Sequence, residues 1–298
     1  MRQRRRNRKR YLRRRRQKRI AALILIAVVG LVVYACMHRN ESEPDTPATD
    51  PVPSTTLEIP TEPEPVLEVF VREHNLTLDQ WPEKLIKRME GNPEIEEFVL
   101  NYPLKKDATP EIDLRQHLGS DQVPLLLQWD ERWGYIDYAG SVMGLSGCGP
   151  TCLSMVCIHL LKDAKYTPQY IAAFAKENGY VSKGNGSAWT LISKGGKKLG
   201  LEITEIPLVK KRIANNLAAG NPIICIMGPG IFTDTSHYIV LTEYADGYVK
   251  INDPFSPSKS AQLWKLDEVM TQIRNLWVCS APSVQKDDTQ GTVPAGQK

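Results

Sequence analysis

The chain has 298 residues, 42% hydrophobic and 24% charged, the make-up of an ordinary globular protein with room for one sizeable domain or two small ones. The formal net charge of +4 is an end effect: residues 1–19 hold 13 Lys or Arg and no acid, leaving 25 basic against 34 acidic side chains, net −9, over residues 20–298. A basic surface spread over the whole molecule is thereby excluded. The basic tail sits directly before an apolar run, so a topogenic role is expected for it rather than nucleic-acid binding.

That run, Ile20–Met37, is 18 residues without a charge. At about 1.5 Å per residue it covers about 27 Å, close to the roughly 30 Å of a hydrocarbon core. It is longer than the apolar stretch of a typical secretory signal. The expectation is a single transmembrane helix kept as an anchor, with residues 1–19 cytoplasmic and everything after His38 outside. Val33-Tyr34-Ala35-Cys36 weakly resembles a lipoprotein cleavage box, but Tyr34 is too bulky, so lipidation of Cys36 is not expected. Residues 38–65 are dominated by Pro, Thr, Glu and Asp and read as a disordered, extended stalk.

Apolar periodicity returns in residues 66–121, a small helical module that either packs on the next domain or acts as a spacer. Trp81, Leu85, Ile86 and Met89 fall at helical spacing, and Asn92-Pro93 opens a second helix carrying Ile95, Phe98 and Val99. The main domain spans residues 122–282. Pro150 starts an apolar helix, a second runs over about Pro168–Asn178, and Ser187 caps a third that carries Trp189, Leu191, Ile192 and Leu199. Leu201–Ile206 alternates as a strand does, and Leu208–Ala219 is helical. Strands follow at Pro222–Met227, His237–Tyr244 and Tyr248–Asn252, with Asp246-Gly247 as a hairpin turn. A helix near Leu266–Ile273 and a strand at Leu276–Cys279 close the domain, and a disordered tail covers 283–298. Helices first and an antiparallel sheet later is an α+β layout.

Beyond Cys36, five cysteines remain: Cys148, Cys152, Cys157, Cys225 and Cys279. An odd number leaves at least one free thiol, and the last four sit in apolar surroundings that suit buried thiols better than disulfides. Cys148 lies between two glycines at the start of the Pro150 helix. There the helix dipole and free N–H groups favour a thiolate and can serve an oxyanion. The plainer reading is a Gly-Cys-Gly turn feeding a core helix. Cys152, one turn on, is a weaker candidate because the helix interior would bury it.

A nucleophilic thiol needs a histidine in hydrogen-bond reach. His159 is 11 residues along the same helix, about 16 Å away along the axis, and is ruled out as partner. His38 abuts the apolar run, and His74 and His117 lie in or near the helical module, which leaves His237, at the head of a strand, as the best placed. The hairpin at Asp246-Gly247 brings Asn252 and Asp253 back towards His237. Adjacent strand residues point to opposite faces, so one of the two can orient the imidazole, and register alone does not say which. Asp253, just before Pro254, also suits a plain turn.

In order along the chain stand Gln128-Trp129-Asp130-x-Arg132-Trp133-Gly134, Gly147-Cys148-Gly149-Pro150-Thr151, Ser236-His237-Tyr238-Ile239-Val240-Leu241 and Asn252-Asp253-Pro254. This ordered set resembles family thirty-nine of the cysteine peptidases, and more closely its "like" branch of stand-alone bacterial surface or secreted domains. The resemblance covers roughly residues 122–281. It implies a papain-like fold, Cys148 as nucleophile, His237 as general base and acid, Asp253 as orienter and Gln128 as side-chain donor to the oxyanion hole. It implies no metal or organic cofactor. Gln128 is 20 residues before Cys148, farther than in the transporter-linked leader peptidases, and Gln122 stays open as the alternative. No phosphate loop of the G-x-x-x-x-G-K-[ST] type occurs, so the double-glycine specificity of the transporter-linked members is not carried over.

The expected protein is therefore a membrane-anchored extracytoplasmic cysteine peptidase acting on a peptide or protein substrate. One alternative is an amidase or transpeptidase acting on cell-wall peptide with the same thiol. Another is a non-catalytic surface binding module. Trp129 and Trp133 read as core or groove-wall aromatics, and Gly228–Thr235 as a mobile flap over the groove.

Overall fold

The structure, a computed structural model, describes residues 64–182, 184 and 186–282. The basic tail, the run Ile20–Met37, all but the last two residues of the stalk, and the 283–298 tail lie outside the described residues. Among the described residues no helix is long and apolar enough to cross a membrane.

The module begins with α1 (Val66–Glu73) and continues through α2 (Glu83–Glu90), α3 (Glu96–Leu100) and α4 (Tyr102–Lys105). α1, α2 and α3 each bury apolar side chains, and these do not close on themselves. Leu67, Trp81, Leu85, Ile95, Phe98 and Val99 share their core with Tyr135 and Val142 of the following domain. Phe98 is the key of this contact. It stacks on Tyr135 with ring centroids 4.5 Å apart, and its backbone carbonyl accepts the Tyr135 hydroxyl at 2.9 Å. A Cβ on Gly134 or Gly144 would come within 2.6 or 2.5 Å of the Phe98 ring, so only glycine admits the ring there. The module is thus docked on the domain and is not a spacer. Phe98→Ala should cost about 3–5 kcal/mol of stability, read from the denaturant midpoint; a midpoint left unchanged would mean the docking contributes nothing.

The domain opens with the hairpin β1 (Asp137–Tyr138) and β2 (Ser141–Val142), then α5 (Met143–Ser146). Next comes α6 (Cys148–Leu161), buried from Gly149 to Ile158, which is why its sequence is apolar all round. After α7 (Pro168–Glu177) a second small hairpin, β3 (Val181–Ser182) and β4 (Gly186–Ser187), crosses the head of α6. A π turn at Leu191–Gly195 runs into α8 (Gly196–Lys198). The remaining elements are β5 (Glu202–Glu205), α9 (Lys210–Ala218), β6 (Ile223–Met227), β7 (His237–Ala245), β8 (Tyr248–Asn252), α10 (Pro257–Ser260), β9 (Leu263–Lys265), α11 (Leu266–Met270) and β10 (Ile273–Ser280).

Six strands form one antiparallel sheet in the order β5-β10-β6-β7-β8-β9. Its central strand β6 is buried at every residue, because both faces are covered. Ile224, Ile226, Tyr238 and Val240 pack in the cluster that holds α6. Their strand neighbours Ile223, Cys225, Ile239 and Leu241 pack on the other face with Ile213 and Leu217 of α9. The layout is mixed helix plus antiparallel sheet, as the helix-then-strand order of the sequence implied.

Local readings differ in three places. Ser187 does not cap a helix: it pairs with Val181 across β3–β4, and its hydroxyl meets the Tyr138 hydroxyl at 2.7 Å. The last helix stops at Met270, and β10 starts at Ile273, where the ladder with β6 takes over the backbone bonds. The expected Gly228–Thr235 flap is pinned to the turn before β10. Gly228 N–H donates to the Gln272 carbonyl at 2.7 Å, Ile231 N–H to Gln272 Oε1 at 2.6 Å, and Phe232 is buried against Trp264.

Candidate active site

Cys148 is the first residue of α6, where backbone N–H groups lack intrahelical partners. It is partly exposed, whereas Cys152, Cys157, Cys225 and Cys279 are buried, and all five are free thiols. Burial drives the Cys152 and Cys157 thiols well up, so neither is a nucleophile at neutral pH. β4 closes over the head of the helix. A Cβ on Gly149 would strike Ser187 Oγ at 2.6 Å, so the glycine after the cysteine is what lets the hairpin approach.

His237 opens β7 opposite Met227 of β6. Its Nε2 lies 2.6 Å from Asp253 Oδ1, and the pair is buried. The ring and the Cys148 sulfur lie close enough for each to shift the other's proton affinity, and with Nε2 on Asp253 it is Nδ1 that is left to meet the sulfur. Asp253 follows β8 and is held on several sides. Its Oδ1 accepts from Phe255 N–H at 2.8 Å, and its own N–H donates to Ser260 Oγ at 2.9 Å. Asn252 points elsewhere: its amide donates to the carbonyls of Val123 and Pro124, both at 3.0 Å, lacing the entry of the domain onto the sheet.

The electrostatics follow from this chain of contacts. Burial pushes the Cys148 thiol up. The hydrogen bond and charge of His237, with backbone N–H groups of Tyr238 and Gly149, outweigh it, and the thiol lies below its ordinary value. Burial likewise opposes a charged His237, but the Asp253 carboxylate and the Cys148 sulfur raise it well above the usual imidazole range. Asp253 is pushed up by burial and pulled further down by His237. All three shifts favour a thiolate–imidazolium–carboxylate row.

Gln128 is buried next to these residues. Its N–H donates to the Pro254 carbonyl at 2.7 Å and its Nε2 to the Gly144 carbonyl at 2.8 Å, while its Oε1 is buried without a partner. Gln122 is exposed on the 120–122 turn, with its N–H donating to Ser120 Oγ. Trp129 donates its indole N–H to the Phe255 carbonyl at 2.8 Å, just past Asp253, and the buried Trp133 to Leu127. His159 lies towards the far end of α6. A cleft of about 540 Å³ opens beside Cys148, with Ser187, Trp189, Ile226, Ser236 and Tyr238 among its walls.

Four residues play parts at the site that the sequence does not assign to them. Ser187 of the cleft wall shares a hydroxyl bond with the buried Tyr138, Tyr238 brings its N–H to the thiol, and Ser260 holds the backbone of Asp253. Only the last left a signal: Ser256-Pro257 is a cap followed by a first-turn proline, the opening of α10. Among the described residues no group of three or more His, Cys, Asp or Glu could hold a metal ion.

Fold and site together define a helix-plus-antiparallel-sheet domain with a helix-N-terminal thiol facing an imidazole–carboxylate pair. The chain belongs to the Peptidase_C39 like family, whose model matches residues 120–281, more than half its length. That membership supports a cysteine peptidase function. No curated protein matches. Among solved structures it is similar to the peptidase domain of Streptococcus ComA, a bi-functional ABC transporter involved in a quorum sensing pathway. The identity is 22% over 54% of this chain and 98% of that one, with a TM-score of 0.40. It is also similar to a putative C39-like peptidase from Bacillus anthracis (15% identity, 57% and 97% covered, TM-score 0.36). A double glycine motif protease from an AMS/PCAT transporter, in complex with the leader peptide, matches at 18% identity with 55% and 94% covered and a TM-score of 0.34.

Proposed function

We propose that this chain is a membrane-anchored, extracytoplasmic cysteine peptidase using Cys148 as nucleophile, His237 as general base and acid, Asp253 as orienter and Gln128 as oxyanion donor. The observation that carries the reading is the buried 2.6 Å bond between His237 and Asp253, with the Cys148 sulfur at the head of α6 near enough to the ring for the two to shift each other's proton affinity. The thiolate adds to a peptide carbonyl carbon. The oxyanion draws on N–H groups at the head of α6 and on the second Nε2 proton of Gln128, the first being spent on Gly144. His237 gives its proton to the leaving nitrogen as the C–N bond breaks. It then takes a proton from water as the water attacks the thioester, releasing the new carboxylate and restoring the thiol.

Cys148 is held below its ordinary value, so its alkylation should reach half-maximum below the roughly 8.5 of a free cysteine. His237 is held above its ordinary value, so hydrolysis should fall only once the imidazolium loses its proton, well on the alkaline side of pH 6.5. Following alkylation of the Cys148 peptide by mass spectrometry across pH tests the reading. A half-maximum in the ordinary thiol range would remove the ion pair and with it the proposed chemistry.

The anchor rests on Ile20–Met37 behind 13 basic residues. A membrane-impermeant thiol reagent added to intact cells should therefore label Cys148. Labelling that needs lysis would place the domain inside.

A further inference from the structure

The helices α1 to α4 of the module lie outside the span that the family model matches, yet the module reaches the segment carrying Asp253. Glu94, in a short 3-10 turn between α2 and α3, is the point of contact. Its Oε2 accepts the Ser256 hydroxyl at 2.6 Å and its Oε1 accepts Ser258 N–H at 2.8 Å. Arg88 of α2 lies 4.4 Å above the Phe255 ring. The grip passes inward in two steps. Ser256 Oγ caps α10 by accepting Lys259 N–H, and Ser260 of the same turn donates to the Ser256 carbonyl at 3.0 Å while accepting Asp253 N–H at 2.9 Å. Phe255 N–H in turn occupies the Asp253 oxygen that faces His237.

We infer that Glu94 is a positioning residue for Asp253, and that the module makes the peptidase site competent by clamping the 253–260 loop. This rests on the peptidase reading. A carboxylate suits the task because it accepts two donors at once across a partly buried seam, bonds stronger than those between neutral groups. The charged groups facing the Asp253–His237 pair are Cys148 from α6 and Lys259 from α10, and Lys259 adds to holding Asp253 ionised. A loosened loop lets Asp253 leave the imidazole, and burial then works against a charged His237 and for a neutral Cys148 thiol.

The test uses the full chain and follows Cys148 alkylation against pH, which needs no known substrate. In Glu94→Ala the rate at neutral pH should fall about tenfold and the half-maximum should move to higher pH. Glu94→Gln keeps an acceptor for Ser258 N–H and should recover most of the loss. Ser256→Ala should shift the profile the same way, and the double variant Glu94→Ala with Ser256→Ala should be no worse than the more affected single one. A wild-type profile in folded Glu94→Ala overturns the clamp. If Glu94→Ala does not fold, a wild-type profile in Ser256→Ala overturns it instead. An ordinary thiol profile in the wild-type chain would sink the peptidase reading itself and is thereby told apart from failure of the clamp.

Discussion

Cys148→Ala should abolish hydrolysis, with kcat falling by about 10⁴-fold or more, while the thermal midpoint stays near that of the parent. The site predicts this separation of activity from stability. Cys148 sits at the rim of the core, partly exposed, and loses one sulfur atom. The other described thiols cannot substitute. Cys152 is one turn into α6, fully buried, with its proton held tightly. Labelling by a thiol-directed activity probe should vanish in the same variant. Full labelling in Cys148→Ala would assign the reactive thiol to another residue.

Asp253→Asn should lower kcat by about 10²–10⁴-fold and displace the pH profile. Asparagine keeps the size of the side chain and an oxygen for Phe255 N–H, so the loop has its bond. What disappears is the largest of the charges that together outweigh burial at His237. The imidazole then falls back towards neutrality and the thiol rises, so alkylation of Cys148 should move to higher pH. The parent's linkage has a defined window. Asp253, held low, contributes stability above the ordinary carboxylate range and loses it as pH falls through its folded value. His237, held high, contributes below the ordinary imidazole range and loses it as pH rises through its folded value. An unmoved profile in Asp253→Asn, by alkylation and by hydrolysis, would leave Asp253 a turn residue.

The choice between Asn252 and Asp253 shows where sequence reasoning stops. The hairpin itself was legible, because Asp246 and Gly247 both take positive φ, 49° and 86°, as a two-residue turn needs. The register was not. A bulge between Leu241 and Glu243 inserts one residue into β7, and a slip of one exchanges the faces of Asn252 and Asp253. The α+β order and the buried helix behind Cys148 were legible for a similar reason: each is local and periodic. Docking of the module was not, because it depends on Phe98 meeting Gly134 and Gly144 across the fold. Such complementarity leaves no periodic trace. Ser187 misled because a serine before an apolar stretch has the look of a cap. Here the hairpin β3–β4 uses that hydroxyl against Tyr138.

The central claim is that Cys148 cuts peptide bonds outside the membrane, and a comparison of protein N-termini on intact cells carrying the parent chain or Cys148→Ala tests it most directly. A discrete set of new N-termini on surface and secreted proteins should be present with the parent and missing with the variant. Identical sets of N-termini in the two strains, with both chains present at equal amounts, would contradict it.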